Sequence, residues 1–319
     1  MKQILSILLC SVIMLSFAVA QKPADLSGDL IIFHAGSLSV PLIEIKSEFN
    51  KIYPKVNVIT ESAGSIECVR KVTDLKKPCD IVASSDYKVI DKMLIPAYAD
   101  WNIKFAANEI CIAYTDIAKY KNEINAKNWY DILMKEDVTY GRDDPNGAPC
   151  GYRTVMCMQL SETYYRKPGL AKQLLSKDMD YMRPQEVDLI NLLESKNLDY
   201  AFIYRSVAVQ HNLNYLILPD QVNLKNPKYS DDYILAVVDI NSKEPGKTEQ
   251  MKGDPMVYGV TMIKNAPNKE AAMAFLEFML SKDKGMKIME KEGQPSVIPM
   301  EVNNYTVVPD RLKPFVKKP

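Results

Sequence analysis

The segment Asp29-Leu30-Ile31-Ile32-Phe33-His34-Ala35-Gly36-Ser37-Leu38 sets four large apolar residues in a row and then gives way to small ones. A short apolar run closed by a glycine-containing turn reads as a buried strand. After it, Leu42, Ile45, Phe49 and Ile52 recur at helical spacing. The same order returns at once. Residues 56–60 read as a second strand, Glu61-Ser62-Ala63-Gly64-Ser65 as its turn, and another helix follows. Residues 79–84 supply a third short strand. Strand, small-residue turn and helix in alternation predict an α/β domain with a mostly parallel sheet. Ligands of such sheets sit beyond the carboxyl ends of the strands, and both Ala-Gly-Ser turns fall at that edge.

Further along, residues 109–114 predict a strand, 128–134 a short helix, and 138–141 a strand. That strand enters the loop Asp143-Asp144-Pro145-Asn146-Gly147-Ala148-Pro149-Cys150-Gly151-Tyr152, which opens a helix through Tyr165. Pro149 suits the first helical position, where its missing N–H costs nothing. A helix start leaves its first amides unpartnered and partly positive, which makes it a seat for an anion. A helix over 184–195, a strand over 198–204, a turn or helix over 206–211 and a strand over 256–263 follow. Residues 268–280 predict an amphipathic helix with Ala272, Phe275, Leu276 and Met279 on one side, continuing helically over 281–292. The polar stretch 232–255 is expected at the surface. One lobe inserted into another fits this order. Residues 21–108 plus 264–319 are expected to form lobe 1 and residues 109–263 lobe 2, each a mixed sheet flanked by helices. The crossings lie near 107–112 and 256–266, and the ligand belongs in the cleft between the lobes.

Ahead of this stands a signal peptide by pattern: Lys2, an apolar run from Ile4 to Phe17, and Ala18-Val19-Ala20 as the cleavage site. Cys10 leaves a lipid-anchor alternative, the weaker one because cleavage before it yields a very short targeting segment. Lys and Arg total 40 and so do Asp and Glu, so the basic excess of a nucleic-acid binder is missing. Past residue 20 the cysteines are Cys68, Cys79, Cys111, Cys150 and Cys157, an odd number with no disulfide framework. They read as small apolar fillers. With His34 and His211 the only histidines and no Cys-x-x-Cys, no metal-ion site is expected.

Three turns can aim donors into the cleft: Ala35-Gly36-Ser37, Ala63-Gly64-Ser65, and residues 146–151 from the other lobe. Tyr204 adds a phenol at a strand end. A serine before a helix is also an ordinary N-cap, and each serine taken alone keeps that reading. Two such turns in corresponding positions favour a shared site. The set is neutral and contains donors only. A dianion without a proton, such as sulfate, molybdate or tungstate, needs donors, whereas hydrogen phosphate gains from a buried carboxylate acceptor. Several oriented dipoles must offset the desolvation of such an ion.

These residues resemble the tungstate/molybdate-binding proteins of ABC importers, in particular their archaeal-type branch. The resemblance rests on His34-Ala35-Gly36-Ser37-Leu38-Ser39-Val40-Pro41 and Ser62-Ala63-Gly64-Ser65-Ile66-Glu67-Cys68-Val69-Arg70-Lys71. It extends through residues 80–87, Tyr98-Ala99-Asp100-Trp101, Asn128-Trp129-Tyr130, Pro149-Cys150-Gly151-Tyr152-Arg153 and residues 199–211. It implies a two-lobed periplasmic-binding-protein fold of type II, with no catalytic residues and no cofactor. It also implies a molybdenum or tungsten oxyanion as the bound ligand, a membrane permease as partner, a periplasmic location and a monomeric chain. By motif, Ser37 and Ser65 supply hydroxyls to the oxyanion, with backbone amides near Gly36 and Gly64. Ala148 or its neighbours Pro149 and Cys150 supply a backbone donor, and Tyr204 supplies its phenol.

The chain departs from the archaeal-type pattern at two places. Gly147 and Ala148 stand where an acidic residue precedes Pro-Cys-Gly in that branch, and Ile203 stands where a Glu precedes Tyr-Arg-Ser. Those two carboxylates complete a six-coordinate metal there, so their replacement implies plain tetrahedral oxyanion binding here. Two alternatives remain: a sulfate or other small-oxyanion receptor of the same fold, and a hydrolase of phosphate or sulfate esters built on His34 and Ser37. The hydrolase lacks a nucleophile elbow.

Overall fold

The computed structural model describes residues 25–177, 179–242 and 246–318; the expected signal peptide and Cys10 lie outside them. The chain begins with β1 (Gly28–Ala35), α1 (Ser39–Ile52), β2 (Val56–Ala63), α2 (Ser65–Thr73), β3 (Ile81–Ser84), α3 (Tyr87–Met93) and β4 (Ile103–Ala107). β2 and β3 both pair parallel with β1. Side chains alternate across a strand, and β1 uses both faces. Leu30 and Ile32 pack into a core with Leu42, Ile45 and Phe49 of α1, while Phe33 joins Ile66 and Val69 of α2 on the other side. This two-faced burial accounts for the unbroken apolar run.

The chain then crosses to β5 (Ile110–Tyr114), α4 (Trp129–Leu133), β6 (Tyr140–Asp143), α5 (Pro149–Tyr165), α6 (Leu170–Lys177), β7 (Met182–Arg183), α7 (Glu186–Glu194), β8 (Tyr200–Tyr204), α8 (Arg205–Gln210) and β9 (Asn214–Ile217). These strands form a second sheet in the order β7-β6-β8-β5-β9. Of the 17 residues of α5, twelve are buried, so it is a core helix covered all round rather than a surface helix with one apolar stripe.

After α9 (Ser230–Tyr233) comes an antiparallel hairpin, β10 (Val237–Asn241) and β11 (Thr248–Lys252). It occupies the stretch expected to be a polar surface excursion. Val238, Ile240 and Met251 are buried, and the alternation was masked by the polar residues between them. The chain returns through β12 (Val257–Met262), α10 (Lys269–Leu280), α11 (Gly285–Lys291) and β13 (Ser296–Val302).

β12 enters the first sheet between β3 and β4, antiparallel to both, and the six strands run β13-β4-β12-β3-β1-β2. The expected lobe boundary at residue 263 therefore placed this strand on the wrong side, since the crossing precedes Val257. Nothing in an apolar strand states which sheet it will join. The first sheet is accordingly mixed rather than mostly parallel: β1, β2 and β3 run together and the late strands run against them. The face that carries α1 also packs on α10 and α11, with Met273, Met279, Met286 and Met289 among the core side chains. The five described cysteines are all buried and unpaired. Among the described residues no helix is long and apolar enough to cross a membrane.

Candidate anion-binding site

Between the two sheets lies a cavity of about 20 Å³. Pockets for organic ligands run to ~300–1,000 Å³, so this one admits a small ion and little else. From the six-stranded side its wall is Ala35 and Gly36 at the end of β1, Gly64 and Ser65 where β2 passes into α2, and Ser85 after β3. From the other side come Asp143 at the end of β6, Ala148, Pro149 and Cys150 at the start of α5, Glu186 at the start of α7, and Tyr204 at the end of β8. The starts of α2 and α5 thus meet across the cleft, each with amides that have no intrahelical partner and a partial positive charge. The approach is close. A Cβ on Gly64 would lie 2.2 Å from the carbonyl oxygen of Gly147.

Of the residues expected from sequence, Gly36, Gly64, Ser65, Ala148, Pro149, Cys150 and Tyr204 line this cavity. Ser37 sits fully buried next to Gly36, and its Oγ accepts a hydrogen bond from the Tyr258 hydroxyl at 2.9 Å. Its carbonyl accepts from Gln294 at 2.6 Å. It therefore braces the turn and is absent from the cavity wall. The Ala148 amide is also taken, donating to the Asp144 carbonyl at 3.1 Å. With Pro149 lacking an N–H, Cys150 carries the first amide of α5 at the cavity wall.

Ser65 Oγ accepts from the Ser85 amide at 3.0 Å and lies 3.2 Å from Ser85 Oγ. The Tyr204 hydroxyl donates toward Ser85 Oγ at 3.4 Å and accepts from Arg153 Nη1 at 3.2 Å. Ser85 is a cavity residue that sequence reading missed. It follows the third strand as Ser37 and Ser65 follow the first two, and that correspondence was the available signal.

The expectation of a neutral, donor-only site is corrected by two buried acids. Asp143 is fully buried and Glu186 nearly so, and their carboxyl groups and Cys150 Sγ all lie within 4.8 Å of one another. Neither oxygen of Asp143 has a hydrogen-bond partner among the described residues, while Glu186 Oε1 accepts from the Tyr204 amide at 3.2 Å. Burial, then the charges of Glu186 and Asp188, hold the Asp143 carboxyl well above the usual carboxylate range. Burial pushes Glu186 up to about 7 against the pull of the Tyr204 amide and Cys150. Asp143 opens the loop before α5 and Glu186 sits in the first turn of α7, where acids are common, so neither was marked by sequence as a site residue.

A serine–histidine pair is not assembled. His34 Nδ1 lies 2.9 Å from the Ala35 carbonyl, and burial lowers its pKa to about 4.

The family model described as bacterial extracellular solute-binding protein matches residues 30–294. The chain belongs to that family of solute-binding proteins. It is 47% identical over 302 residues, 94% of each chain, to an uncharacterized solute-binding protein of Petrotoga mobilis. It is 44% identical over 315 residues, 90% of each chain, to the molybdate/tungstate-binding protein WtpA of Pyrococcus abyssi. The WtpA of Thermococcus kodakarensis is 42% identical, with 90% of this chain and 87% of that one covered.

Two solved structures show the fold of this solute-binding protein. The periplasmic molybdate-binding protein of Azotobacter vinelandii aligns with a TM-score of 0.60 at 14% identity, covering 85% of this chain and 99% of that one. The sulfate-binding protein SubI of Mycobacterium tuberculosis aligns with a TM-score of 0.61 at 14% identity, covering 85% and 88%. The architecture is the two-lobed α/β fold of periplasmic binding proteins.

In this solute-binding protein a buried ion pair, a candidate latch, bridges elements of the two lobes beside the cavity. Arg153 Nη2 of α5 lies 3.1 Å from Asp86 Oδ2, which follows β3, and Tyr152 donates to the same oxygen at 2.6 Å. Arg153 Nη1 also donates to the Ser85 carbonyl at 2.7 Å. Its charge is thus matched by Asp86, and the guanidinium stands behind Ser85 and Tyr204 rather than in the wall.

Proposed function

We propose that the protein captures tungstate or molybdate between its lobes and passes it to an ABC-transporter permease, acting as a monomeric periplasmic receptor without catalysis. The observation that carries this reading is the convergence of two helix starts, from opposite lobes, on a cavity the size of one small ion. The relatives named for molybdate and tungstate, at 44% and 42% identity, support the choice of ion. Ser65, Ser85, Tyr204 and the first amides of α2 and α5 hold the oxygens, with Ser37 supporting the Gly36 turn from behind. We place the lobes at residues 25–107 plus 257–318 and at residues 108–256, hinged where the chain crosses. An adjoining outer cavity of about 220 Å³ that shares Gly36 and Glu186 with the inner one serves as the vestibule through which the ion arrives.

Calorimetry of the mature chain against tungstate, molybdate, sulfate and phosphate tests the proposal. Tungstate and molybdate are expected to bind at micromolar levels or better, with sulfate and phosphate much weaker. Sulfate binding tighter than tungstate would transfer the assignment to a sulfate receptor. Ser65→Ala removes a hydroxyl from the wall and leaves an anion oxygen short of a donor, at a cost of about 1–3 kcal/mol. Ser37→Ala is expected to weaken binding less, because its hydroxyl acts through Tyr258.

A further inference from the structure

We infer that Asp143 and Glu186 enter the site as neutral carboxylic acids whose O–H groups donate to the bound anion, so that capture of the anion carries protons in with it. This rests on the oxyanion reading above and deepens it. Two carboxyl groups stand in the wall of a cavity that two helix starts have made attractive to a negative ion. Neither oxygen of Asp143 has a hydrogen-bond partner among the described residues, although the side chain is fully buried. A buried polar group left unmatched in this way is waiting for a partner that the protein itself does not provide. Glu186 uses one oxygen on the Tyr204 amide. Its other oxygen faces the opposite lobe, 3.9 Å from where a Cβ on Gly36 would stand.

Ionised, these two groups would repel each other and any dianion between them. As acids they become two further donors and restore the neutral donor set that a fully deprotonated oxyanion needs. The groups around them agree. On β6, Arg142 donates to the Asp143 backbone carbonyl at 3.2 Å and to Met182 Sδ at 3.3 Å. From α5 come Cys150, whose thiol is raised by burial and then by the charge of Glu186, and Arg153, whose charge is matched by Asp86 across the cleft. From α7 comes Asp188, which adds negative charge and raises Asp143 further, and from β8 comes the Tyr204 phenol. Burial places Glu186 at about 7, so the empty protein sheds its proton near neutrality and the loaded protein keeps it. More protons are bound in the loaded state, and affinity falls as pH rises through that range, by about tenfold per unit for each proton linked.

The test is titration calorimetry of sodium tungstate into the intact mature chain at pH 6, 7 and 8.5, each in buffers of differing ionisation enthalpy. Uptake of about half a proton per anion at pH 7, rising toward one at pH 8.5, is expected, with affinity lower at pH 8.5 than at pH 6 by tenfold or more. Glu186→Gln and Asp143→Asn, checked for fold by thermal melting, are expected to flatten the pH dependence and lower the proton uptake of the binding they retain, since an amide still donates but no longer titrates. Tungstate binding with no proton uptake and a flat pH profile overturns this inference alone. So does loss of binding in both folded variants while the wild type stays pH-independent, which would mean that the ionised carboxylates contact the ion directly. A wild-type chain that takes up no tungstate at any pH overturns the ligand assignment, and the inference falls with it.

Discussion

Gly64 and Ser37 stand in equivalent-looking turns and do different work. Gly64 has φ −59° and ψ 143°, a conformation open to any residue, so its backbone does not demand glycine. The demand comes from the other lobe, whose Gly147 carbonyl occupies the space a side chain would take. Gly64→Ala is therefore expected to leave the fold of its own lobe intact and to obstruct closure. Overpacking of this kind costs about 1–3 kcal/mol, which calorimetry reads as a loss of tungstate affinity of roughly tenfold or more at an almost unchanged melting temperature. Wild-type affinity in that variant would show that the lobes need not approach this closely. Sequence alone marked both turns as small and donor-rich. It could not tell which serine lines the cavity, because that depends on Tyr258, 221 residues further along, reaching Ser37.

Among the elements, α5 joins the site to the latch. Its first turn borders the ion cavity, and its next residues, Tyr152 and Arg153, reach across to Asp86. Asp86 also caps α3, accepting from the Lys88 amide at 2.9 Å. Asp86→Asn keeps a good capping residue while removing the charge opposite Arg153. Truncating one partner of a buried pair costs about 3–5 kcal/mol because the other charge is stranded. In the proposed hinge opening Arg153 parts from Asp86, so this variant is expected to lose more than a hundredfold in tungstate affinity, mostly as faster release in stopped-flow measurements. An unchanged release rate would show that the pair does not hold the lobes together. The helix itself was legible from Pro149 and the apolar run to Tyr165. Its burial on all sides was not, since a polar residue such as Arg153 gives no sign from spacing that its partner lies in the other lobe.

For the whole molecule, the two sheets, the crossings near residues 107–110 and 252–257 and the small cavity between them fit the closed form of the proposed receptor. A hinged receptor must open to load. Small-angle scattering is expected to show a larger radius of gyration without ligand and contraction on adding tungstate, toward the ~19 Å of a compact chain of about 300 residues. Identical curves with and without ligand would mean that no such motion accompanies binding. The division into lobes was visible as a change of pattern after residue 108. The return point was misplaced at residue 263, because β12 has the same apolar character whichever sheet receives it.

The first strand–turn–helix alternation, the small-residue turns and the start of α5 at Pro149 were written in local spacing, since backbone periodicity and capping are set within a few residues, whereas β4, the β10–β11 hairpin and β13 left no such mark. Tertiary structure alone decided which sheet took β12, which serine lined the cavity, and that Asp143 and Glu186 meet there. Those outcomes depend on burial and on contacts between residues far apart in the chain, and a carboxyl group's charge state is a property of the surroundings the fold assembles around it.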